Sequence, residues 1–117
     1  KVYLADQYTN SNGKMICQAC KEELPFKLPT GKYYFEAVEL VPDSPKRYRE
    51  AYLALCPNHA AAYLYANEQR SSIRELVTAA ESNEIEIALG GELTTLYFTQ
   101  MHLVDSKACL SSEEMEE

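Results

Sequence analysis

Between Glu84 and Thr99 the chain alternates. Ile85, Ile87 and Leu89 occupy one set of positions, and Glu84, Glu86 and Ala88 the other. A period of two residues belongs to a half-buried strand, because successive strand side chains point to opposite faces. Gly90-Gly91 supplies a two-residue turn. Leu93, Thr95, Tyr97 and Thr99 then resume the period, with Leu96 and Phe98 on the opposite face. The segment predicts a β-hairpin whose first arm has one polar face. Upstream the spacing changes to three and four. Ile73, Leu76, Val77 and Ala80 make an apolar stripe, and Ser72 with Glu75 has the form of a capping box, so a helix is expected here, ended by "SNE". "NHAAAYLYANEQ" is Ala-rich and predicts another helix, with Asn58 as its N-cap unless a metal sets the entry geometry.

The first half is less regular. "VYLADQY" has apolar or aromatic residues at positions 2, 3, 4 and 8 and suits a short helix, followed by the polar loop "TNSNGK". "PFKL", a turn at Pro29 and Gly31, and "YYFEAVELV" read as two strands of a hairpin. "PDSPKR" interrupts, and "YREAYLALCPNH" reads as a loop or short helix running into a short strand. At the far end "MHLVDSKACL" reads as a short helix and "SSEEMEE" as a frayed acidic tail. The expected class is α+β.

The 117 residues suit one domain, with nine Tyr and three Phe supplying bulk in the absence of Trp. No apolar run is long enough for a membrane span, and the first ten residues lack a signal peptide's apolar core. A chain that begins at Lys1 reads as a piece of a larger protein, and the missing signal points to a cytoplasmic setting in which disulfides are not expected. The net charge of −7 is unevenly spread. Residues 1–59 hold eight basic and seven acidic side chains, a net +1, and residues 60–117 hold three and eleven, a net −8. This balance argues against a broad nucleic-acid surface, which needs clustered cations. Lys21, Lys27 and Lys32 are scattered, and Lys46, Arg47 and Arg49 make the one local cluster, "PKRYRE". A solvated loop accounts for that cluster more simply than phosphate contact. Tyr33, Tyr34, Tyr48, Tyr52, Tyr63 and Tyr65 could stack on bases, but their spacing fits packing in a small core better.

Candidate chemistry lies in Cys17-x-x-Cys20 and Cys56-x-x-His59, separated by 35 residues. Two-residue spacing lets both members of a pair reach one ion from a tight turn, and zinc takes four such ligands in a tetrahedron. The long gap accommodates a hairpin, giving a treble-clef layout: a knuckle, a hairpin, and a second pair feeding the first turn of a helix. A redox role for Cys17 and Cys20 would need a βαβ setting that the pattern lacks. Four protein ligands imply a closed, structural Zn2+ site, one per chain, with no open position for water. Cys109 is expected to be a small buried hydrophobe. His102, at the start of the last helix, is expected at the surface or in a capping role.

"ICQAC", "YYFEAVELVP" and "LALCPNHAA", covering about Met15 to Tyr65, resemble the zinc-bearing HNH endonucleases. The resemblance implies a ββα-metal core braced by zinc, within an arrangement of core (15–65), added helix, hairpin and terminal helix (66–110) and tail (111–117). In that family the "FEA" strand runs into two histidines, a metal ligand and a general base, and a further His follows the last zinc ligand. Here those positions hold Val38, Glu39 and Ala60. Val can neither ligate nor take a proton, and an ordinary Glu is a weak base near neutrality. Glu36, Glu39 and Asp43 do not form an evident replacement, since residues three apart on a strand face opposite ways. The expectation is a non-catalytic, HNH-like domain that docks a protein partner or the other domains of its parent chain. What the resemblance implies for context is a bacterial restriction or phage-defence protein. The alternative is nucleic-acid binding or weak metal-dependent nuclease activity.

Overall fold

The computed structural model describes residues 1–42 and 48–115, with side chains up to residue 111. Among these residues the fold is α+β, with four helices and two antiparallel two-stranded sheets. The order is α1 (Val2–Tyr8), β1 (Glu36–Glu39), β2 (Tyr52–Leu55), α2 (Pro57–Tyr65), α3 (Ile73–Thr78), β3 (Glu84–Leu89), β4 (Glu92–Tyr97) and α4 (Gln100–Met115).

The C-terminal hairpin forms where the alternation placed it. Ile85 pairs with Leu96 and Leu89 with Glu92, and Gly90 and Gly91 close the turn with φ of 57° and 83°. Two consecutive left-handed residues are the requirement of a type I′ turn, which glycine meets without strain. Ile85, Ile87, Leu89 and Leu96 are buried together. Leu93 falls on the other face and is exposed, so the inner face of β4 is narrower than its pattern suggests.

The first hairpin differs from its expected form. Lys27 and Tyr33 make a single bridge around the Gly31 turn, and β1 pairs instead with β2, Glu36 opposite Leu55 and Glu39 opposite Tyr52. The reason is burial. Leu53, Ala54 and Leu55 are fully covered, whereas Phe26 and Leu28 stay exposed, so the apolar surface worth pairing lies across the longer connection. Part of that connection, including Asp43, Lys46 and Arg47, lies outside the described residues.

The helices follow their stripes, with different ends. Ile73 and Val77 of α3 are buried, yet the capping-box bond is not made: Ser72 closes a short 3-10 turn and its hydroxyl donates to the Gln69 carbonyl at 3.3 Å. In α2 the N-cap is Cys56, two residues earlier than Asn58, with Pro57 at the first helical position. α4 runs on to Met115, so most of the predicted tail is helical, and residues 116–117 lie outside the description. Tyr63 is buried with its hydroxyl donating to the Leu40 carbonyl, Tyr33, Tyr34, Tyr48 and Tyr52 are half-buried, and Tyr65 is 87% exposed, outside the core that its spacing suggested.

His102 is neither at the surface nor a cap. It is completely buried against the rings of Tyr3, Tyr8 and Phe98. Its Nε2 lies 3.0 Å from the Glu50 carbonyl, which can only accept, so Nε2 carries the proton. Nδ1 is then the acceptor for the Tyr8 hydroxyl at 2.5 Å, and that hydroxyl oxygen accepts from the Thr99 N–H. Ser106 donates to the same Glu50 carbonyl at 2.8 Å. One neutral imidazole thus ties α1 and α4 to the turn before β2. Cys109, on the same helix, is half-buried with its thiol 3.9 Å from Glu50 Oε1, so it is not the enclosed hydrophobe expected.

Burial lowers the His102 pKa from 6.5 to about 4, against smaller opposing contributions from the Glu50 and Tyr52 backbone and the Asp105 and Glu50 charges. The unfolded chain therefore binds the extra proton first as pH falls. The stability tied to neutral His102 is present above pH 6.5 and is lost progressively toward about 4. Urea unfolding of the wild type and His102→Gln should show it: the wild-type advantage shrinks by about 1 kcal/mol from roughly pH 7.5 to 5.5. Comparing the two proteins cancels the protonation of other groups.

Candidate metal centre

Three elements deliver four ligands. Cys17 and Cys20 sit on a knuckle made by the chain turning back after Met15. The Lys21 N–H reaches the Cys17 carbonyl at 2.8 Å, and the Cys17 N–H reaches Glu22 at 3.0 Å. The turn forces Lys21 to φ 63°, a left-handed conformation that costs a non-glycine residue about 1 kcal/mol. Its ammonium donates to the Thr95 carbonyl at 2.9 Å, offsetting part of that strain while holding the knuckle to β4. Cys56 directly follows β2 and caps α2, and His59 lies in the first turn of that helix.

The ligand atoms of Cys17, Cys20, Cys56 and His59 all lie within 4.8 Å of one another. A tetrahedral ion with bonds near ~2.3 Å places its ligand atoms about 3.8 Å apart, so the cluster needs little closure to hold one. Cys56 Sγ and His59 Nδ1 are already 3.3 Å apart. Cys17 is fully buried, and the other three are half-buried. Burial pushes the Cys17 thiol up to about 12, opposed by hydrogen bonds from the Cys20, Cys56 and Ala19 backbone, the last at 3.4 Å. Those N–H groups favour the Cys17 thiolate. A cation held by the four residues would supply the remaining compensation. The residues therefore fit a metal ion, and a tetrahedral one would take all four of its ligands from the protein.

Sequence reasoning missed the residue inside the first pair. Gln18 is completely buried and makes four hydrogen bonds. Its backbone N–H donates to Ala54 O at 3.0 Å, and its carbonyl accepts from Tyr97 N at 2.9 Å. Its side chain repeats both contacts with roles exchanged: Oε1 accepts from Ala54 N at 2.7 Å, and Nε2 donates to Tyr97 O at 2.9 Å. The knuckle is thereby stitched to the edge of β2 and the end of β4. Only the match of one amide to two strand edges reveals this, and nothing in a two-residue spacer signals it.

The positions tied to catalysis by the HNH resemblance are arranged for packing. Val38 and Ala60 are both buried in the core. Glu39 is half-buried opposite Tyr52, and Glu36 accepts from the Tyr34 hydroxyl. Glu36 and Glu39 do border one cleft of about 420 Å³, together with Tyr63, Leu64 and Arg70, despite their odd spacing. They gain no third ligand: among the described residues, the Cys/His cluster is the one group of three or more His, Cys, Asp or Glu side chains placed to hold an ion. Arg49 turns to its own neighbours, pairing with Glu50 at 2.7 Å and lying 5.4 Å from the Tyr3 ring centroid.

Gln18→Leu keeps the volume and removes both side-chain bonds, leaving Ala54 N–H and Tyr97 C=O short of a partner. It should lower unfolding free energy by about 2–4 kcal/mol in a denaturant titration, with the metal content per chain unchanged. Compared with protein families, with curated proteins and with solved structures, the chain matches none of them.

Proposed function

We propose that this is a non-catalytic domain built around structural zinc, an HNH-like scaffold that serves as a docking module for a protein partner or for other parts of its parent chain. One observation carries the reading. Cys17, Cys20, Cys56 and His59 lie close enough together to hold one ion with four protein ligands, while Val38 and Ala60, where a nuclease of that type would place histidines, are packed into the core. Zinc suits three sulfurs and one imidazole, and a closed tetrahedron stabilises the fold without activating water. Phosphodiester hydrolysis near neutrality needs a base of matching pKa and an open cation site. His59 is committed to the cluster and His102 to the buried Tyr8–Glu50 network, so neither is available as that base. The reading fits a reducing, cytoplasmic compartment, where the thiolate set stays reduced. A bacterial restriction or phage-defence protein is the parent that the resemblance suggests. No helix is long and apolar enough to cross a membrane among the described residues.

Elemental analysis should give one zinc per chain. Cys20→Ala should lose it and unfold, because metal binding and folding are linked. Supercoiled plasmid incubated with magnesium or manganese should remain intact. Nicking that disappears in Glu39→Ala would overturn the non-catalytic reading.

A further inference from the structure

Away from the metal centre, a groove of about 470 Å³ opens between α1 and the loop carrying the Gly31 turn. Met15 and Phe35, both buried, form its base. Val2 and Leu28 line it while 72% and 41% exposed. Phe26, 51% exposed, stacks on Tyr34 of the groove wall with ring centroids 5.3 Å apart. Bulky apolar side chains gathered around a concavity, rather than scattered, mark an interaction surface.

The charge at this groove opposes that of the protein. Lys1, Lys27 and Lys32 line it against one acid, Asp6, a local net of +2 on a chain of net −7. The cleft beside β1 is the reverse, with Glu36 and Glu39 against Arg70. Lys27 lies 5.0 Å from the Tyr33 ring centroid, and Lys1 lies 5.0 Å from that of Phe35 while donating to the Phe35 carbonyl. The lysine stems thus extend the apolar walls and the ammonium groups mark the rim.

We propose that this groove is the docking surface of the module, and that its partner is an acidic protein segment anchored by a bulky apolar side chain. The anchor sits over Met15 and Phe35, and flanking Asp or Glu residues meet Lys27 and Lys32. The proposal rests on the docking-module reading and adds the surface and the partner's chemistry. A nucleic acid would use the lysines but leave the buried apolar base of Met15 and Phe35 unexplained.

The test is fluorescence polarisation of a short fluorescein-labelled peptide with Leu-Phe between runs of Asp and Glu. A matched peptide with Ala-Ala at the centre and a single-stranded DNA oligonucleotide serve as the other arms. Saturable binding of the Leu-Phe peptide is expected, weakened roughly tenfold or more by Lys27→Glu/Lys32→Glu and by the Ala-Ala change. Both lysines are exposed, so the variant should keep its metal and circular dichroism. Absence of saturable binding, equal binding by the reversed-charge variant, equal binding of the Ala-Ala peptide, or tighter binding of the oligonucleotide through the same lysines would each overturn the proposal. If the groove fails while plasmid stays intact and zinc stays bound, the docking-module reading stands. Nicking would remove that reading without bearing on the groove.

Discussion

Gln18 sets the geometry on which the rest depends. The Cys-x-x-Cys knuckle must be held at a fixed height over two sheets that share no strand, and one buried amide does this by bonding twice to Ala54 and twice to Tyr97. A covered polar side chain is tolerable only when fully satisfied, so the arrangement is intolerant of slippage at either strand edge. Lys21 reinforces it from the outside through Thr95. Cys17 and Cys20 therefore face Cys56 and His59 at ligand distance because the knuckle is already fastened to the strand that leads into α2.

A second buried polar centre works at the opposite end. His102 joins α1, α4 and the turn before β2 through the Tyr8 hydroxyl and the Glu50 carbonyl. Its role is structural because each ring nitrogen has one fixed partner and water is excluded. Of the chain's two histidines, one lies in the Cys/His cluster and the other in the core. Val38 and Ala60, which stand where the resembled family has histidines, fill volume in the core.

The C-terminal hairpin was legible because local alternation and a Gly-Gly turn determine it without help from distant residues. The four-ligand cluster was legible because two-residue spacing is itself a geometric demand of a metal. The N-terminal half was harder. "PFKL" and "YYFE" satisfy a hairpin pattern, yet β1 prefers the apolar β2 far along the chain, and local propensity yields to burial. Ser72 and Glu75 satisfy a capping-box pattern, but the preceding turn enters α3 as a 3-10 segment and takes the hydroxyl elsewhere.

Composition and spacing alone determined the α+β class, the closing hairpin, the helix after Pro57 and the two candidate ligand pairs, because each depends on residues near one another in the chain. Tertiary structure decided which strand β1 joins, that Gln18 bridges two sheets, that His102 is buried and neutral, and that three lysines surround one apolar groove. Those outcomes depend on which surfaces meet once the chain has collapsed, and a polar residue's fate follows the partners that such meetings bring within hydrogen-bond reach.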